Sequence, residues 1–592
     1  MKQNLKMFLT MGVIVIFLLG SVSAPAHAAG TRLKLDLWYM PVERPYFPDA
    51  KSVAEIMKSN LNKVGVDIKL VTYEWGEYLD RTENGDHEMA LLGWSADIGD
   101  PDNFLYVLLS GHSATVGTAG NIAFYNDSLV TDLLDQAQAS YDQSTRDALY
   151  QEAEWYIHKD SPWVPVDHSQ NLAAYVDGVS GYETHPTGPG ANVYANVSKT
   201  GSTELIIARG GDSVTLDPAE WTDGQSWKVG RQIYDGLYNL PADSIDPEPA
   251  LATSYTTSSD GLEWTFNLRQ GVKFSDGSDF NASSVVFSFD RAKYWQDNAS
   301  DYVINGWAPP EAGYYDYIYG DINLSISEVS NYVVKFTMSK PYAPFLATLG
   351  MGVFAIVSPT YVMAHPGTQA SDRLGKMPVG TGPYMMSEWV PDSTITLAKN
   401  PNYWGPAGKA GSMIFKVIPE AATRVSELKA GTVDILDNVA ASDATGLEKT
   451  TGVTVTDQAG MNVGYLAMNA LKAPFNNNTA VADPDFGGMS THASLVRRAF
   501  NYAIDKEKII SEVFQGKAIE AVNPLPPSFW GYNTSIQPYA YNPDHAKEIL
   551  SSLGYNTSAI TAGPETTVTI VTLFGVFVAL AELKRRQKKR SE

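Results

Sequence analysis

Three side chains of the kinds that hold small charged molecules stand near the start of the chain. Arg44, Trp75 and Asp97 each follow an apolar run that predicts a strand. The planar guanidinium of arginine grips a carboxylate bidentately, a carboxylate binds an ammonium, and an aromatic ring covers an apolar group. A free short peptide offers all three features. The alternative, in which the two charges lie on the surface and the tryptophan in the core, stays open at this point.

The pattern around these residues predicts the elements that position them. Apolar residues in strand-like runs predict three strands, at residues 33–39, 66–70 and 89–92. Apolar residues at helical spacing predict a helix over 53–64, with Gly65 as its C-terminal cap. The order is β-α-β-α-β. Parallel strands joined by right-handed crossovers place their carboxyl ends at one edge of a sheet, where open α/β sheets bind ligands, so we expect the three side chains to converge there.

Three motifs in this region resemble a known family. They are residues 42–46 (VERPY), 72–78 (TYEWGEY) and 93–104 (GWSADIGDPDNF). All three are similar to the ligand-binding half of the dipeptide-binding proteins of ABC uptake systems. Those proteins belong to the family 5 extracellular solute-binding proteins.

The resemblance implies roles for single residues. Arg44 would take the carboxylate of the peptide, and Asp97 its α-amino group. Trp75 would line the side-chain pocket, and we expect Tyr46, in the first motif, to be a fourth ligand-binding residue. In relatives that take longer peptides the carboxylate partner is absent, so Arg44 indicates dipeptides or slightly longer ligands.

Further motifs of the same family follow in an order that the family does not have. They lie at residues 268–277, 379–384, 400–404, 497–505 and 541–547, while residues 212–218 resemble the start of the mature family protein. We therefore expect a circular permutation, with the former termini joined near residues 198–203. A fusion of two partial copies, or an error in the gene model, is the competing explanation. No segment occurs twice, which argues against two copies.

The resemblance also implies the fold class. It is an α/β, two-lobe, hinged fold of the type II periplasmic-binding-protein kind, here circularly permuted. Lobe one would comprise residues 169–465, and the ligand-binding lobe two would comprise residues 31–168 and 466–556. Such a rearrangement is tolerable because native termini are often close together on the surface.

The two ends of the chain predict export and a membrane tether. Residues 1–28 have basic residues, an apolar run and a small-residue cleavage site, as in a secretory signal peptide. After a linker at 557–566, the apolar residues 567–583 predict a transmembrane anchor and the basic residues 584–592 a cytoplasmic tail. The body would then lie at the outer face of the cytoplasmic membrane. A buried core helix is the alternative for the apolar segment, which the basic tail disfavours.

Composition argues against several classes of function. The net charge of −23 disfavours nucleic acid as a partner. The absence of cysteine removes disulfides, thiolate chemistry and a lipid-modified cysteine. The sequence has no phosphate-binding loop with Gly-Lys-Ser/Thr, no Gly-x-Ser-x-Gly elbow and no His-Glu-x-x-His helix. Because its nine histidines are scattered, we predict no metal site and no cofactor, and we do not expect an enzyme.

Together with the resemblance, these features predict the substrate-binding subunit of an ABC transporter. It would capture dipeptides or short peptides outside the cell and deliver them to membrane permease subunits, which separate ATPase subunits drive. Two alternatives remain. One is the same role for another cargo, such as an oligopeptide, an oligosaccharide, nickel or haem, and the other is a membrane-tethered peptide sensor.

Overall fold

The computed structural model describes residues 30–221, 223–297, 314–365 and 374–560. Within these ranges, no helix combines the length and the apolar composition that a bilayer crossing requires. The predicted terminal segments lie outside the described residues, apart from the first four residues of the linker: signal peptide 1–28, linker 557–566, anchor 567–583 and tail 584–592.

The described chain begins with strands and helices in alternation. In chain order these elements are β1 (Lys34–Trp38), α1 (Ala50–Lys63), β2 (Asp67–Val71), α2 (Trp75–Glu83), β3 (Met89–Ser95), α3 (Asp102–Leu109), α4 (Ser128–Ala139), α5 (Gln143–Asp160) and β4 (Trp163–Val176). Strand β1 pairs in parallel with both β2 and β3. The predicted β-α-β-α-β order is confirmed, with element ends shifted by up to three residues.

Local signals explain why α1 begins and ends where it does. The Asp49 side chain accepts a hydrogen bond from the backbone N of Ser52 at 3.0 Å, which caps the first turn. Val53, Met57 and Leu61 are buried along one face. The chain then turns through Gly65, whose φ of +87° suits glycine and ends the helix.

The middle of the chain forms a second α/β unit and then returns to the first. Its elements are β5 (Val179–Ser180), β6 (Ser198–Lys199), β7 (Glu204–Arg209), α6 (Gly224–Gly230), β8 (Tyr238–Asn239), β9 (Glu248–Pro249), β10 (Ala252–Thr257), β11 (Glu263–Leu268), α7 (Ala282–Asp297), α8 (Tyr314–Tyr319), β12 (Ser325–Ser330), β13 (Val333–Thr337), α9 (Phe345–Thr348), α10 (Pro359–Ala364), β14 (Tyr384–Val390), β15 (Thr394–Lys399), β16 (Ser412–Val417), α11 (Ala421–Ala430), β17 (Ile435–Leu436), α12 (Ala441–Glu448) and β18 (Val453–Ala459). The returning elements are β19 (Asn462–Met468), β20 (Ala480–Ala482), β21 (Met489–Thr491), α13 (His492–Ala503), α14 (Lys506–Glu512), β22 (Ala518–Glu520) and α15 (Pro543–Ser552).

Separate hydrophobic cores divide these elements. One core takes its residues from 35–166 and 461–550, and the unit around it is lobe two. The remaining buried clusters take theirs almost entirely from 172–447, and the unit around them is lobe one. A single sheet of order β14-β15-β16-β7-β17-β4-β19-β3-β1-β2 runs through both units, with β4 and β19 at its centre. The predicted α/β class is confirmed.

Two extended segments cross between the cores, β4 and the β18–β19 stretch. The side chain of Asn462 ties them together. Its Oδ1 accepts from both the backbone N and the Oγ of Ser169 at 3.0 Å, and its Nδ2 donates to the Ser169 carbonyl at 3.1 Å. The backbone N of Gly460 donates to the same carbonyl at 3.1 Å. A change of angle between the lobes has to bend the chain at this crossing.

A second link between the lobes, the Tyr141 contact, joins the α4–α5 turn to the small β10-β11-β13-β12 sheet of lobe one. The Tyr141 hydroxyl donates to the Gly261 carbonyl at 2.9 Å and accepts from the backbone N of Tyr342 at 3.1 Å. Its ring centre lies 5.8 Å from that of Trp264. Gly261 has a φ of +72°, and a Cβ there would overlap the Tyr141 ring.

The ends of the described chain meet on lobe two. Thr31 forms a parallel β-bridge with Tyr555, and the backbone N of Asn556 donates to the Thr31 carbonyl at 3.2 Å. The backbone N of Ile560 then donates to the Asn62 carbonyl at 2.9 Å. The segment after α15 therefore lies beside the segment that leads into β1.

Replacing Gly261 by alanine tests the Tyr141 contact. We expect the free energy of unfolding to fall by roughly 2–4 kcal/mol, because a left-handed alanine is strained and its methyl group displaces the Tyr141 ring. Gly277→Ala is the matched control, since Gly277 has a φ of +86° with nothing within 4 Å of its Cβ position. That variant has only the backbone cost of about 1–2 kcal/mol. Equal losses in urea denaturation would show that the contact contributes nothing.

Candidate functional site

Arg44 lies in a tight loop that follows β1. Its backbone N donates to the Phe47 carbonyl at 3.2 Å, and the Phe47 N donates to the Arg44 carbonyl at 3.0 Å. The guanidinium carbon lies 5.0 Å from the centre of the Trp75 ring, which is a cation–π contact. In the described part of the chain, the arginines that form salt bridges are others: Arg81, Arg146, Arg209, Arg291 and Arg498. The Arg44 charge is thus held by an aromatic face rather than by a carboxylate.

Trp75 is the first residue of α2. The Glu74 side chain caps this helix by accepting from the backbone N of Gly76 at 2.9 Å. On its inner side the Trp75 ring stacks on Tyr78, with the ring centres 5.9 Å apart and the planes at 15°. Tyr78 is itself fixed, since its hydroxyl donates to the Leu91 carbonyl of β3 at 2.7 Å. The indole is therefore rigid and half-buried, with one face toward Arg44.

Tyr46 packs directly on the sheet beneath the Arg44 loop. Its ring lies against the Cα of Gly93, where a Cβ would overlap it, and Gly93 pairs with Gly464 of β19. Burial raises the pKa of Tyr46 to about 12, while the charge of Arg44 and a hydrogen bond from it act in the opposite direction. The paired glycines make room for this ring, so they position the loop that carries Arg44.

Asp97 stands two residues beyond the end of β3. Asn103 holds it on two sides, because the Asp97 backbone N donates to Asn103 Oδ1 at 2.9 Å and Asn103 Nδ2 donates to Asp97 Oδ2 at 3.4 Å. Trp94 Nε1 also donates to Asn103 Oδ1, at 3.2 Å. Burial raises the pKa of Asp97 to about 6, and the hydrogen bond from Asn103 lowers it. The carboxyl group thus lies in poorly solvated surroundings, which move its pKa toward neutrality.

The opposite lobe supplies a neighbour of Asp97. The charge of Asp97 is the main cause that raises the pKa of Tyr314, which lies on α8 of lobe one. The Tyr314 ring centre lies 5.8 Å from that of Trp227, also in lobe one. Asp97 therefore faces across the boundary between the lobes.

The structure brings three of the four predicted site residues into one contact group. Arg44 contacts both Trp75 and Tyr46 beyond the carboxyl ends of β1 and β2. Asp97 lies at the end of the neighbouring strand β3, and its partners are Asn103 and Tyr314. Sequence reasoning did not single out these two partners.

Asp167 is a buried carboxyl group that sequence reasoning also missed. It lies on β4 with no exposed surface, and neither of its oxygens has a hydrogen-bond partner among the described residues. It contacts the Cα of Gly464, beside the Tyr46 carbonyl. Burial raises the pKa of Asp167 well above its usual range. The one available signal was a charged residue directly after the apolar run that opens β4.

The isosteric change Asp167→Asn tests this burial. A carboxyl group with a raised folded pKa stabilises the fold fully below its unfolded pKa of about 4, and this stability is lost as the pH rises toward the folded value. We expect the variant to gain stability on the wild type by about 1.4 kcal/mol for each pH unit between the unfolded and the folded pKa of Asp167. Asp177→Asn, at an exposed position after the same strand, is the control. A wild-type-minus-variant difference that does not change with pH would refute buried titration at Asp167.

Comparisons with known proteins place the chain among its relatives. The family described as "Bacterial extracellular solute-binding proteins, family 5 Middle" matches residues 28–115 and 246–586. Haem-binding protein A of Haemophilus influenzae is 35% identical over 348 residues, which cover 57% of this chain and 60% of that protein. The dipeptide-binding protein of Escherichia coli is 30% identical over 361 residues, with 59% and 63% covered.

A solved structure agrees with these matches. HbpA2 from Haemophilus parasuis is 31% identical with a TM-score of 0.51, over 60% of this chain and 67% of that one. The chain spans about three fifths of the length of the curated relatives. Because the family match covers well over half of the residues, the protein belongs to the family 5 bacterial extracellular solute-binding proteins.

Proposed function

We propose that this protein is the substrate-binding subunit of an ABC transporter that captures dipeptides or other short peptides outside the cell. It delivers them to membrane permease subunits that separate ATPase subunits drive. The observation that carries the proposal is the placement of opposite charges, Arg44 and Asp97, beyond the carboxyl ends of two adjacent parallel strands. A relative named dipeptide-binding protein supports the cargo.

The chemistry of the two charged groups fits a zwitterion. The guanidinium of Arg44, oriented by the Trp75 ring, is available for a peptide carboxylate. Asp97 accepts the α-ammonium, because the hydrogen bond that its carboxylate accepts from Asn103 is long, at 3.4 Å, and a neighbouring ammonium favours the ionised carboxylate. A dipeptide spans about 7 Å of extended chain, so pairing both ends at once measures ligand length. Each charge-assisted hydrogen bond contributes about 1.5–3 kcal/mol when water is excluded.

A second candidate cargo is haem. Haem-binding protein A is 35% identical to this chain, a higher identity than that of the dipeptide-binding protein, and HbpA2 is the structural match described above. Within the same transport role, an oligopeptide, an oligosaccharide and nickel remain alternatives. A membrane-tethered peptide sensor is the alternative outside transport. It shares the binding site and differs in having no permease.

We also propose that the chain is a circular permutant of its family, with lobe one at 169–465 and lobe two at 31–168 and 466–556. The contact between Thr31 and Tyr555 supports this, because it lets the segment after α15 lead directly into β1. Matches that span about three fifths of each relative fit the same proposal, since a permuted chain aligns in sequence order over one of its two parts.

The proposal includes the location of the protein. Residues 1–28 direct export, residues 567–583 anchor the chain after the linker at 557–566, and residues 584–592 stay in the cytoplasm. The family name, which specifies extracellular proteins, and the basic residues directly after the apolar segment support this arrangement.

Capped ligands test the charge pairing. For the wild-type protein we expect N-acetylation or C-amidation of a dipeptide to weaken binding about 10- to 100-fold, because each cap removes one charge-assisted contact. Asp97→Asn should make binding insensitive to acetylation, and Arg44→Gln should make it insensitive to amidation. Arg81→Gln is the control, since Arg81 also stacks on an aromatic ring but is paired with Asp86. Titration calorimetry measures all four proteins.

Two results would contradict the dipeptide proposal. If neither N-acetylation nor C-amidation weakens binding to the wild-type protein, the proposed pairing of the two charges is wrong. The second result has two parts: haem binds tightly, seen as a shifted absorption band, and no free dipeptide gives a heat of binding. This result would show that the cargo is haem and not a peptide.

Restoring the family order tests the permutation. A chain that begins at Glu204, continues through Asn556 and is joined there to residues 31–203 should fold and bind the same ligand within a few-fold, because the backbone N of Asn556 already donates to the Thr31 carbonyl. Circular dichroism and calorimetry report the outcome. An unfolded product argues for a different connection between the lobes.

A further inference from the structure

A cavity of ≈ 90 Å³ lies between the lobes beside the predicted ammonium-binding group. Asp97 and Asp102 line it from lobe two, and Ile318, Ile322 and Met351 line it from lobe one. Its lining comes from both lobes, and it shares Asp97 with the site described above. A group attached to the carbon that bears the ligand ammonium would therefore enter it.

Asp102 supplies a second carboxyl group inside this cavity. It is 4% exposed, and its side-chain hydrogen bonds come from Gln138 Nε2, at 3.2 Å and 3.4 Å from its two oxygens. The nearby cation Arg146 is already committed, because it holds Asp100 through two contacts of 2.8 Å. Burial and the charge of Asp100 raise the pKa of Asp102 to about 7, and Arg146, Gln138 and Lys340 lower it. A carboxylate with one amide donor in such surroundings has room for a cation.

The remaining charges of the cavity lie at its rim. Lys340 Nζ is 3.9 Å from Asp321 Oδ2, with 43% and 85% of these side chains exposed. Solvent screens this rim pair, although the charge of Lys340 still lowers the pKa of Asp102. Of the carboxyl and amino groups that line the cavity, those of Asp97 and Asp102 are the less exposed, so its interior favours a cation.

We propose that this cavity receives the side chain of the first peptide residue and selects a basic one, lysine or arginine, with Asp102 as its countercharge. The inference rests on the proposed peptide function and adds the ligand class to it. Asp97 takes the α-ammonium, and the aliphatic stem of the side chain lies along Ile318, Ile322 and Met351. The charged end then reaches Asp102, whose other side is closed by Gln138.

Two ligands that differ only in the charge test this selection. Lysyl-leucine and norleucyl-leucine have the same aliphatic stem, and only the first ends in an ammonium. We expect lysyl-leucine to bind the wild-type protein at least 10-fold more tightly in calorimetry, because a buried charge pair is formed. This comparison needs no variant. Equal affinities, or tighter binding of norleucyl-leucine, would overturn the inference.

A substitution assigns the effect to one residue. In Asp102→Asn we expect the two peptides to bind with equal affinity, whereas Asp132→Asn should keep the wild-type preference. Asp132 is a matched control, since it also accepts from a glutamine amide, Gln136 Nε2 at 2.9 Å, but on the exposed side of α4. A preference for lysine that survives Asp102→Asn would overturn the role of Asp102. If uncapped dipeptides of every kind fail to bind, the proposed function falls and takes this inference with it, whereas dipeptide binding without a preference for lysine refutes the inference alone.

Discussion

The parallel pairing of β1 with β3 is the constraint on which the candidate site depends. Leu37 and Trp38 of β1 lie opposite Met89 and Ala90 of β3, and this register brings the two loops beyond these strands to one edge. Arg44 leaves from the first strand and Asp97 from the second. Neighbouring strands lie about 4.8 Å apart, which keeps the two loops close together. A slip of one residue in the register would turn the side chains of one strand to the other face of the sheet, and the loops that carry Arg44 and Asp97 would no longer lie side by side.

Contacts of two kinds link the lobes. Asn462 and Ser169 tie the two crossing segments, which leaves the angle between the lobes as the variable. The interaction of Asp97 with Tyr314 and the Tyr141 contact both cross the boundary between the lobes. A ligand that contacts both lobes would shift the equilibrium toward the closed form in proportion to its higher affinity for that form. The contacts between the two lobes would add to this stabilisation of the closed form.

Local apolar periodicity made the first three strands and α1 predictable, and the carboxyl-end rule predicted that Arg44 and Trp75 would meet. β3 was predicted too short, because Gly93 reads as a turn signal, whereas the structure uses its missing side chain to seat the Tyr46 ring. Tyr314 had no local signal, and the one signal for Asp167 was its charge directly after the apolar run that opens β4. Their positions depend on how distant segments pack, and a pattern within one segment holds no information about that.

The bridge between Thr31 and Tyr555 has a mechanical consequence. Both described ends of the chain lie close together on lobe two, so a tether attached at either end would pull on lobe two alone. A force on the tether would therefore not act on lobe one, and it would neither favour nor oppose a movement of lobe one relative to lobe two. A protein attached in this way would have the same rate of lobe movement with the tether as without it.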